Sequence, residues 1–178
     1  MVKALVLLFC LAALCVSSQS RLISPAVSGP HVSRSFKLNS TQNAGSCTYT
    51  VRIKTSCSST SYTRDQISLA FGDAYGNQVY APRIDDPRTK TFERCSTDTF
   101  QISGPCTYQV CYVYLYRSGY DGWKPEMVTI SGYYTKSVTF YYNTFVPNGV
   151  WFGFNHCGTY LASTPSSSSS SSSSAAAA

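Results

Sequence analysis

The sequence predicts an all-β protein, an antiparallel β-sandwich within the block that runs from Cys47 to Cys157. Short segments of this block alternate apolar and polar residues, which is typical of half-buried strands. Glycine and proline residues separate the segments. No longer stretch keeps a helical period, and many short strands with turns between them favour a sandwich or barrel.

The strand candidates each place apolar residues on one face. In chain order these residues are Tyr49, Val51 and Ile53; Ile67, Leu69 and Phe71; Val128 and Ile130; Val138, Phe140 and Tyr142; and Val150, Phe152 and Phe154. The clearest strand is 111–116. It points Cys111, Val113 and Leu115 inward and Tyr112, Tyr114 and Tyr116 outward. The outward tyrosines could form a stacking platform for sugars or lipid head groups, or simply pack across strands.

Residues 1–18 have the pattern of a cleavable signal peptide, with Lys3 ahead of an apolar run and small residues before the expected cleavage site. The apolar run is shorter than the ~20 residues that a membrane-spanning helix needs. We therefore expect a secreted, extracellular protein with no transmembrane segment.

Polar segments flank the predicted domain, which covers residues 46–158. Residues 19–45 are polar and interrupted by proline and glycine, which predicts a flexible arm. Asn39 opens a glycosylation sequon within that arm. Residues 159–178 are mostly serine and alanine, a composition that predicts a disordered tail.

The cysteines point to disulfides. Two of the eight, Cys10 and Cys15, lie in the leader, which leaves Cys47, Cys57, Cys95, Cys106, Cys111 and Cys157. An even number in an exported protein favours paired thiols. A zinc cluster is the competing interpretation, but no Cys-x-x-Cys pair is present.

The formal net charge is +6, and all eight acidic residues lie between Asp65 and Glu126. The basic flanks could favour an anionic lipid surface or an acidic polysaccharide, or could simply keep the protein soluble. No dense basic cluster points to nucleic acid. Catalytic motifs are also absent from the sequence: it has two histidines, and Asp85, Asp86 and Glu93 are the only candidate acid–base carboxylates. We therefore expect a protein that is not an enzyme.

Several segments of the block carry a family resemblance. The segment 63–77 has a Thr-Arg-Asp entry, alternating apolar residues and a glycine turn, and Phe92-Glu93-Arg94 and Asp98-Thr99-Phe100 follow. Further on come the strand 112–116, the loop 119–123 ending in Trp123, and Val128-Thr129-Ile130. This order resembles the PLAT (lipoxygenase-homology) domain and, more narrowly, the plant embryo-specific protein 3 group. Cys95 departs from the family pattern, which has glycine there.

The resemblance implies an eight-stranded sandwich of two four-stranded sheets. It also implies a non-catalytic module that binds membrane lipid or an extracellular protein partner. The alternative function is an extracellular structural, carbohydrate-binding or other ligand-binding protein without lipid affinity. The family pattern further implies that Trp123 is a core anchor, which leaves Tyr75 and Tyr120, in glycine-flanked loops, as the candidate membrane or ligand contacts.

Some members of the family bind calcium through acidic loops, and Asp65 and Asp121 occupy the matching positions. Two carboxylates would give a weak site, because calcium takes six to eight oxygens. Otherwise Asp65 caps a turn and Asp121 fills a polar loop, and no cofactor is needed.

The implied sandwich also suggests a disulfide pairing. If the first and last strands are antiparallel neighbours, Cys47 pairs with Cys157. The remaining pairs would be Cys57–Cys95 and Cys106–Cys111, the latter only if the chain turns back between them.

Overall fold

The structure is a computed structural model that describes residues 29–39, 45–85, 88 and 90–158. The predicted signal peptide, the serine tail and the first part of the predicted arm lie outside the described residues. Nine strands are present in the described part. They are β1 (His31–Val32), β2 (Ser46–Thr55), β3 (Gln66–Gly72), β4 (Gln78–Ala81), β5 (Thr97–Pro105), β6 (Tyr112–Ser118), β7 (Pro125–Gly132), β8 (Val138–Tyr141) and β9 (Trp151–Asn155).

The strands form two antiparallel sheets, which confirms the predicted β-sandwich. One sheet has the order β1-β9-β6-β3-β4 and the other has the order β5-β2-β7-β8. The eight longer strands divide into four and four, as the resemblance implies. The two-residue strand β1 adds a fifth member to the first sheet by pairing with β9.

The core lies between the sheets and follows the predicted alternation. On β2 the side chains of Tyr49, Val51 and Ile53 are buried, and on β6 those of Val113 and Leu115 are buried in the same cluster. Truncating a fully buried leucine to alanine typically costs about 2–5 kcal/mol of unfolding free energy, so this alternation carries much of the stability.

Trp123 lies inside this core, as the resemblance implied. Its ring is fully buried, and its Nε1 donates a hydrogen bond of 3.0 Å to Thr55 Oγ1. The indole packs against Phe92 with ring centroids 4.7 Å apart. A buried indole N–H needs an acceptor, and Thr55 at the end of β2 supplies it.

The outward tyrosines of β6 are covered, so they do not form an open platform. Residues 31–39, which we call the N-terminal strap, cross the outer face of the five-stranded sheet. The Phe36 ring contacts Tyr114 at 4.6 Å and Trp151 at 5.0 Å between centroids. At the end of the strap, the backbone N–H of Asn39 donates to the Gln78 side chain and its Nδ2 donates to the Gly76 carbonyl. The structure therefore differs from the expectation of a flexible arm at these residues, because aromatic packing and backbone pairing hold them.

The disulfide pairing suggested by the sequence is wrong at two of its three bonds. The bonds are Cys47–Cys106, Cys57–Cys95 and Cys111–Cys157, with Cα–Cα distances of 4.9, 4.4 and 4.9 Å. The prediction placed β2 beside β9, but these strands belong to different sheets.

The strand neighbours explain the observed bonds. Within its sheet β2 pairs with β5, so Cys47 lies opposite Gly104 and next to Cys106. In the other sheet β6 pairs with β9, which brings together Cys111 before β6 and Cys157 after β9. Cys57–Cys95 is confirmed.

Candidate functional site

The loops gather at two opposite ends of the sandwich. The β3–β4, β5–β6 and β7–β8 loops meet at one end: Tyr108 N–H donates to Asp73, and Val110 N–H donates to Thr135. The β2–β3, β4–β5 and β6–β7 loops meet at the other end, where Arg64 N–H donates to Asp121 and Arg94 N–H donates to the Ser61 carbonyl. We call the first the tyrosine end and the second the Arg–Asp end.

Asp65, one of the two predicted calcium ligands, lies buried at the Arg–Asp end. Its Oδ1 accepts the Asp121 N–H at 3.0 Å, and its Oδ2 accepts the Gly122 N–H at 3.0 Å. Arg117 also donates to Oδ2 in a buried ion pair. Burial raises the pKa of Asp65, but these hydrogen bonds outweigh burial and hold the pKa below its usual range.

Asp121, the second predicted ligand, pairs with Arg64. Its Oδ2 accepts the Arg64 backbone N–H at 2.8 Å and Nε at 3.0 Å, and its Oδ1 accepts Nη2 at 3.0 Å. These hydrogen bonds from Arg64 lower the pKa of Asp121 to about 2. The two carboxylates are brought together, but each already faces a guanidinium.

This donor set does not fit calcium. A calcium ion takes six to eight oxygen ligands, whereas every carboxylate oxygen here accepts at least one N–H. Two guanidinium groups would also repel the ion. Within the described ranges no three His, Cys, Asp or Glu side chains gather as a metal cluster. Asp65 and Asp121 instead join the β2–β3 and β6–β7 loops and strand β6.

Tyr75 and Tyr120, the predicted contact residues, are both exposed but do not share a surface. Tyr75 lies in the β3–β4 loop with 71% of its surface exposed, while Tyr120 is fully exposed in the β6–β7 loop. The two loops are at opposite ends of the sandwich. A contact surface at one end of the sandwich can therefore include Tyr75 or Tyr120, but not both.

Tyr75 has aromatic neighbours that the sequence analysis missed. Its ring contacts that of Tyr108 at 5.1 Å between centroids, and Tyr133 contacts Tyr134 at 4.7 Å. All four tyrosines are exposed. Tyr108 and Tyr134 line a cleft of about 300 Å³ between the pairs, together with Asn77, Cys106 and Thr107.

A single carboxylate positions the first tyrosine pair. Asp73 accepts the N–H of Tyr75 at 2.9 Å and that of Asn77 at 3.1 Å through Oδ1. Through Oδ2 it accepts the side-chain amide of Asn77 at 2.7 Å and the N–H of Tyr108 at 2.8 Å. Gly76 completes the turn with a φ of 89°. The loops that carry Tyr75 and Tyr108 are therefore tied to one buried acid.

The tyrosine end exposes positive charge and no carboxylate among the residues described there. Asp73 is the acid at this end, and its side chain is buried. Lys136 is exposed beside the tyrosines, because it lies two residues after Tyr134 and its N–H donates to Gln109, the neighbour of Tyr108. The end therefore combines exposed aromatic rings with a local positive charge.

Strand direction could have predicted that Tyr108, Tyr133 and Tyr134 lie at the same end as Tyr75. In this fold every successive strand from β2 to β9 reverses direction, so alternate loops share an end. Counting strands places the tyrosines of loops β3–β4, β5–β6 and β7–β8 together. The same count places Tyr120 opposite to them.

Two other predicted site residues, Asn39 and Asp85, hydrogen-bond neighbouring loops or strands. Asn39 is exposed, its backbone N–H donates to Gln78 and its Nδ2 donates to Gly76. Glycosylation of Asn39 stays a prediction.

Asp85 accepts the Ile67 N–H at 2.8 Å and pairs with Arg83, so it holds the β4–β5 loop to β3. Asp86 lies outside the described residues. No helix in the described ranges is long and apolar enough to span a membrane.

Solved structures share this fold. The lipoxygenase variant "Delta413-417:GS LOX" aligns with a TM-score of 0.52 and 20% identity, over 61% of this chain and 16% of that one. The alpha toxin of Clostridium absonum aligns with a TM-score of 0.51 and 18% identity, over 65% of this chain and 33% of that one. The lipoxygenase match identifies the sandwich as PLAT-like. At such identities the likeness concerns the fold alone.

Two proteins of Arabidopsis thaliana are similar to this chain in sequence. Embryo-specific protein ATS3B is 63% identical over 142 residues, which cover 79% of this chain and 73% of the relative. Embryo-specific protein ATS3A is 66% identical over 116 residues, 65% of each chain. The family model described as Embryo-specific protein 3 (ATS3) matches residues 33–157. That match covers most of the strap and all of strands β2 to β9, and the chain therefore belongs to the embryo-specific protein 3 family.

Proposed function

We propose that this protein is a secreted, non-catalytic PLAT-like module whose tyrosine end docks on an anionic lipid surface. One observation carries the proposal: three loops present Tyr75, Tyr108, Tyr133 and Tyr134 to solvent at the same end. Tyrosine rings suit the boundary between lipid and water because one edge is apolar and the hydroxyl is polar. A cluster of exposed aromatic rings marks an interaction site, whereas singly exposed rings are ordinary.

Charge and export support the same proposal. Lys136 would add electrostatic attraction to anionic head groups, roughly 1 kcal/mol for a lysine near the surface. The three disulfides suit an oxidising compartment outside the cytosol. At the Arg–Asp end acidic residues accompany the basic ones, as in the Arg64–Asp121 and Arg83–Asp85 pairs, so that end offers weaker net attraction.

Vesicle co-sedimentation tests the proposal with two variants at the tyrosine end and one matched control at the other end. Tyr75→Ala and Tyr133→Ala should each reduce binding to phosphatidylserine-containing vesicles at low salt. Tyr120→Ala, which removes an equally exposed tyrosine from the opposite end, should leave binding unchanged. High salt should weaken binding, because exposed charges are screened.

Two results would overturn the proposal. Absence of binding to anionic vesicles at low salt would favour the alternative, an extracellular structural or ligand-binding protein. Equal loss of binding in Tyr120→Ala and Tyr75→Ala would show that the tyrosine end is not the contact surface.

A further inference from the structure

A second site lies between the N-terminal strap and the outer face of the five-stranded sheet. The strap leaves a cavity of about 440 Å³ over β6 and β9. That volume falls in the range of small-ligand sites, roughly 300–1,000 Å³. Phe36 of the strap and Tyr112 and Tyr114 of β6 supply its aromatic walls.

Tyr114 presents a free hydroxyl to the cavity. The residue is only 3% exposed, and its hydroxyl makes no hydrogen bond to any residue in the described part of the chain. The hydroxyl oxygen is not enclosed by protein atoms, so a ligand can bind it without displacing a protein partner. Its neighbour Tyr112 is different, because the Tyr112 hydroxyl accepts a hydrogen bond of 3.0 Å from Gln78.

Other polar groups in the wall also remain available. The hydroxyls of Ser33 and Ser35 make no hydrogen bond within the described ranges, and both residues line the cavity. Asn155 uses its Oδ1 to accept the Cys157 N–H at 3.1 Å, which leaves its amide N–H groups unpaired among the described residues. Gln78 is already engaged, since it binds Asn39, Lys37 and Tyr112 and so holds the strap in place.

The cavity wall carries one lysine and no acid. Lys37 lines the cavity, and the described lining residues include no carboxylate. The nearby Asp73 accepts four N–H groups and is not part of the lining. An anionic ligand would therefore meet Lys37 without facing a competing acid.

We propose that this cavity binds an acidic saccharide, one or two sugar rings that carry a carboxylate. The half-buried Phe36 ring can pack against the C–H groups of a sugar ring, while hydroxyl and amide groups bind its hydroxyls. Lys37 would pair with the carboxylate through a charge-assisted hydrogen bond. An acyl chain suits the cavity poorly, because it would leave these polar groups buried without partners.

Isothermal titration calorimetry with digalacturonate tests this inference on the secreted chain. Galactobiose, the neutral disaccharide without carboxylates, is the matched ligand. Digalacturonate should bind more tightly than galactobiose by about ten-fold, since one charged contact distinguishes them. Equal affinity for both, or no binding of digalacturonate at millimolar concentration, would overturn the proposal.

Two variants locate the site. Tyr114→Phe removes only the unpaired hydroxyl and should weaken digalacturonate binding about five-fold while the melting temperature is maintained. Lys37→Gln should remove the preference for the acidic sugar. Tyr141→Phe on β8 and Lys136→Gln at the tyrosine end are the matched controls and should bind digalacturonate normally. Unchanged affinity in Tyr114→Phe and Lys37→Gln would exclude this cavity.

The outcome is independent of lipid binding. Tyr114→Phe should leave vesicle binding unchanged, because Tyr114 is buried beneath the strap and does not reach the tyrosine end. Tyr75→Ala should leave digalacturonate binding unchanged. A failure of either proposal is therefore distinguishable from a failure of the other.

Discussion

The two ends of the sandwich use charged and aromatic side chains in opposite ways. At the Arg–Asp end, Asp65 and Asp121 bind arginines and backbone N–H groups of neighbouring loops. At the tyrosine end, Asp73 is buried beneath its loop, and four aromatic rings face solvent. The first end holds its loops together with these charges and with the Cys57–Cys95 disulfide. The second is held by the other two disulfides and a buried acid, which leaves its rings available for a partner.

The largest effect should come from the buried ion pair of the Arg–Asp end. Asp65→Ala would leave the Arg117 guanidinium buried without its partner and would remove the acceptor for two backbone N–H groups. Removing one member of a buried pair costs about 3–5 kcal/mol of unfolding free energy. Urea denaturation measures this loss.

Asp121→Asn is the control for that measurement, because Arg64 is mostly exposed to solvent. Exposed ion pairs contribute little, so this variant should change stability far less than Asp65→Ala. Similar losses in the two variants would mean that the Asp65–Arg117 pair is not the main link at this end.

A somewhat smaller effect is expected at the tyrosine end from loss of the Cys111–Cys157 disulfide. The bond closes a sequence separation of 46 residues, and a native disulfide typically contributes about 2–4 kcal/mol. The double variant Cys111→Ser with Cys157→Ser should lower the unfolding free energy by that amount.

Peptide mapping without reduction checks the pairing itself. Trypsin cannot separate Cys106 from Cys111, because no lysine or arginine lies between them. Chymotryptic cleavage after the exposed Tyr108 does separate them. Recovery of a Cys47–Cys157 peptide would contradict the assignment of β2 and β9 to different sheets.

Acid should weaken the Arg–Asp end selectively. The folded-state pKa of Asp121 is about 2, below the ordinary value of 3.8, and that of Asp65 is also lowered. A depressed folded-state pKa stabilises the protein above the ordinary pKa, and this contribution is lost as pH falls through the folded value. The unfolding free energy should therefore decrease between about pH 4 and pH 2.

The variant Asp65→Asn, measured over the same pH range, separates this carboxylate from the others. Its stability should fall less steeply with acid than that of the parent protein. An unchanged slope would show that Asp65 does not contribute to the acid response.

The smallest effect is expected from calcium. Since the carboxylates at the Arg–Asp end are bound to arginines, millimolar calcium should leave the melting temperature unchanged in scanning calorimetry. A rise would show that a ligand binds the native state preferentially. If Asp121→Asn then abolished the rise, the loop would have to rearrange around the ion.

The site was less predictable from the sequence than the fold. Tyr75 and Tyr120 were correctly expected to be exposed, because each lies in a glycine-flanked turn. Whether they share a surface depends on the direction of every strand between them. Asp65 and Asp121 lie close together, as a shared site would require, but their partners Arg117 and Arg64 come from different parts of the chain.

The sequence by itself determined which face each strand buries. Alternation has a period of two residues, so Val113 and Leu115 face the core whatever strand lies beside them. The tertiary structure alone decided that Cys47 bonds Cys106, that the strap covers Tyr114, and that Tyr75 joins three other tyrosines. The physical reason is the sequence separation over which each effect acts. Side-chain alternation is set by neighbouring residues, whereas strand order depends on how the whole chain buries its apolar faces.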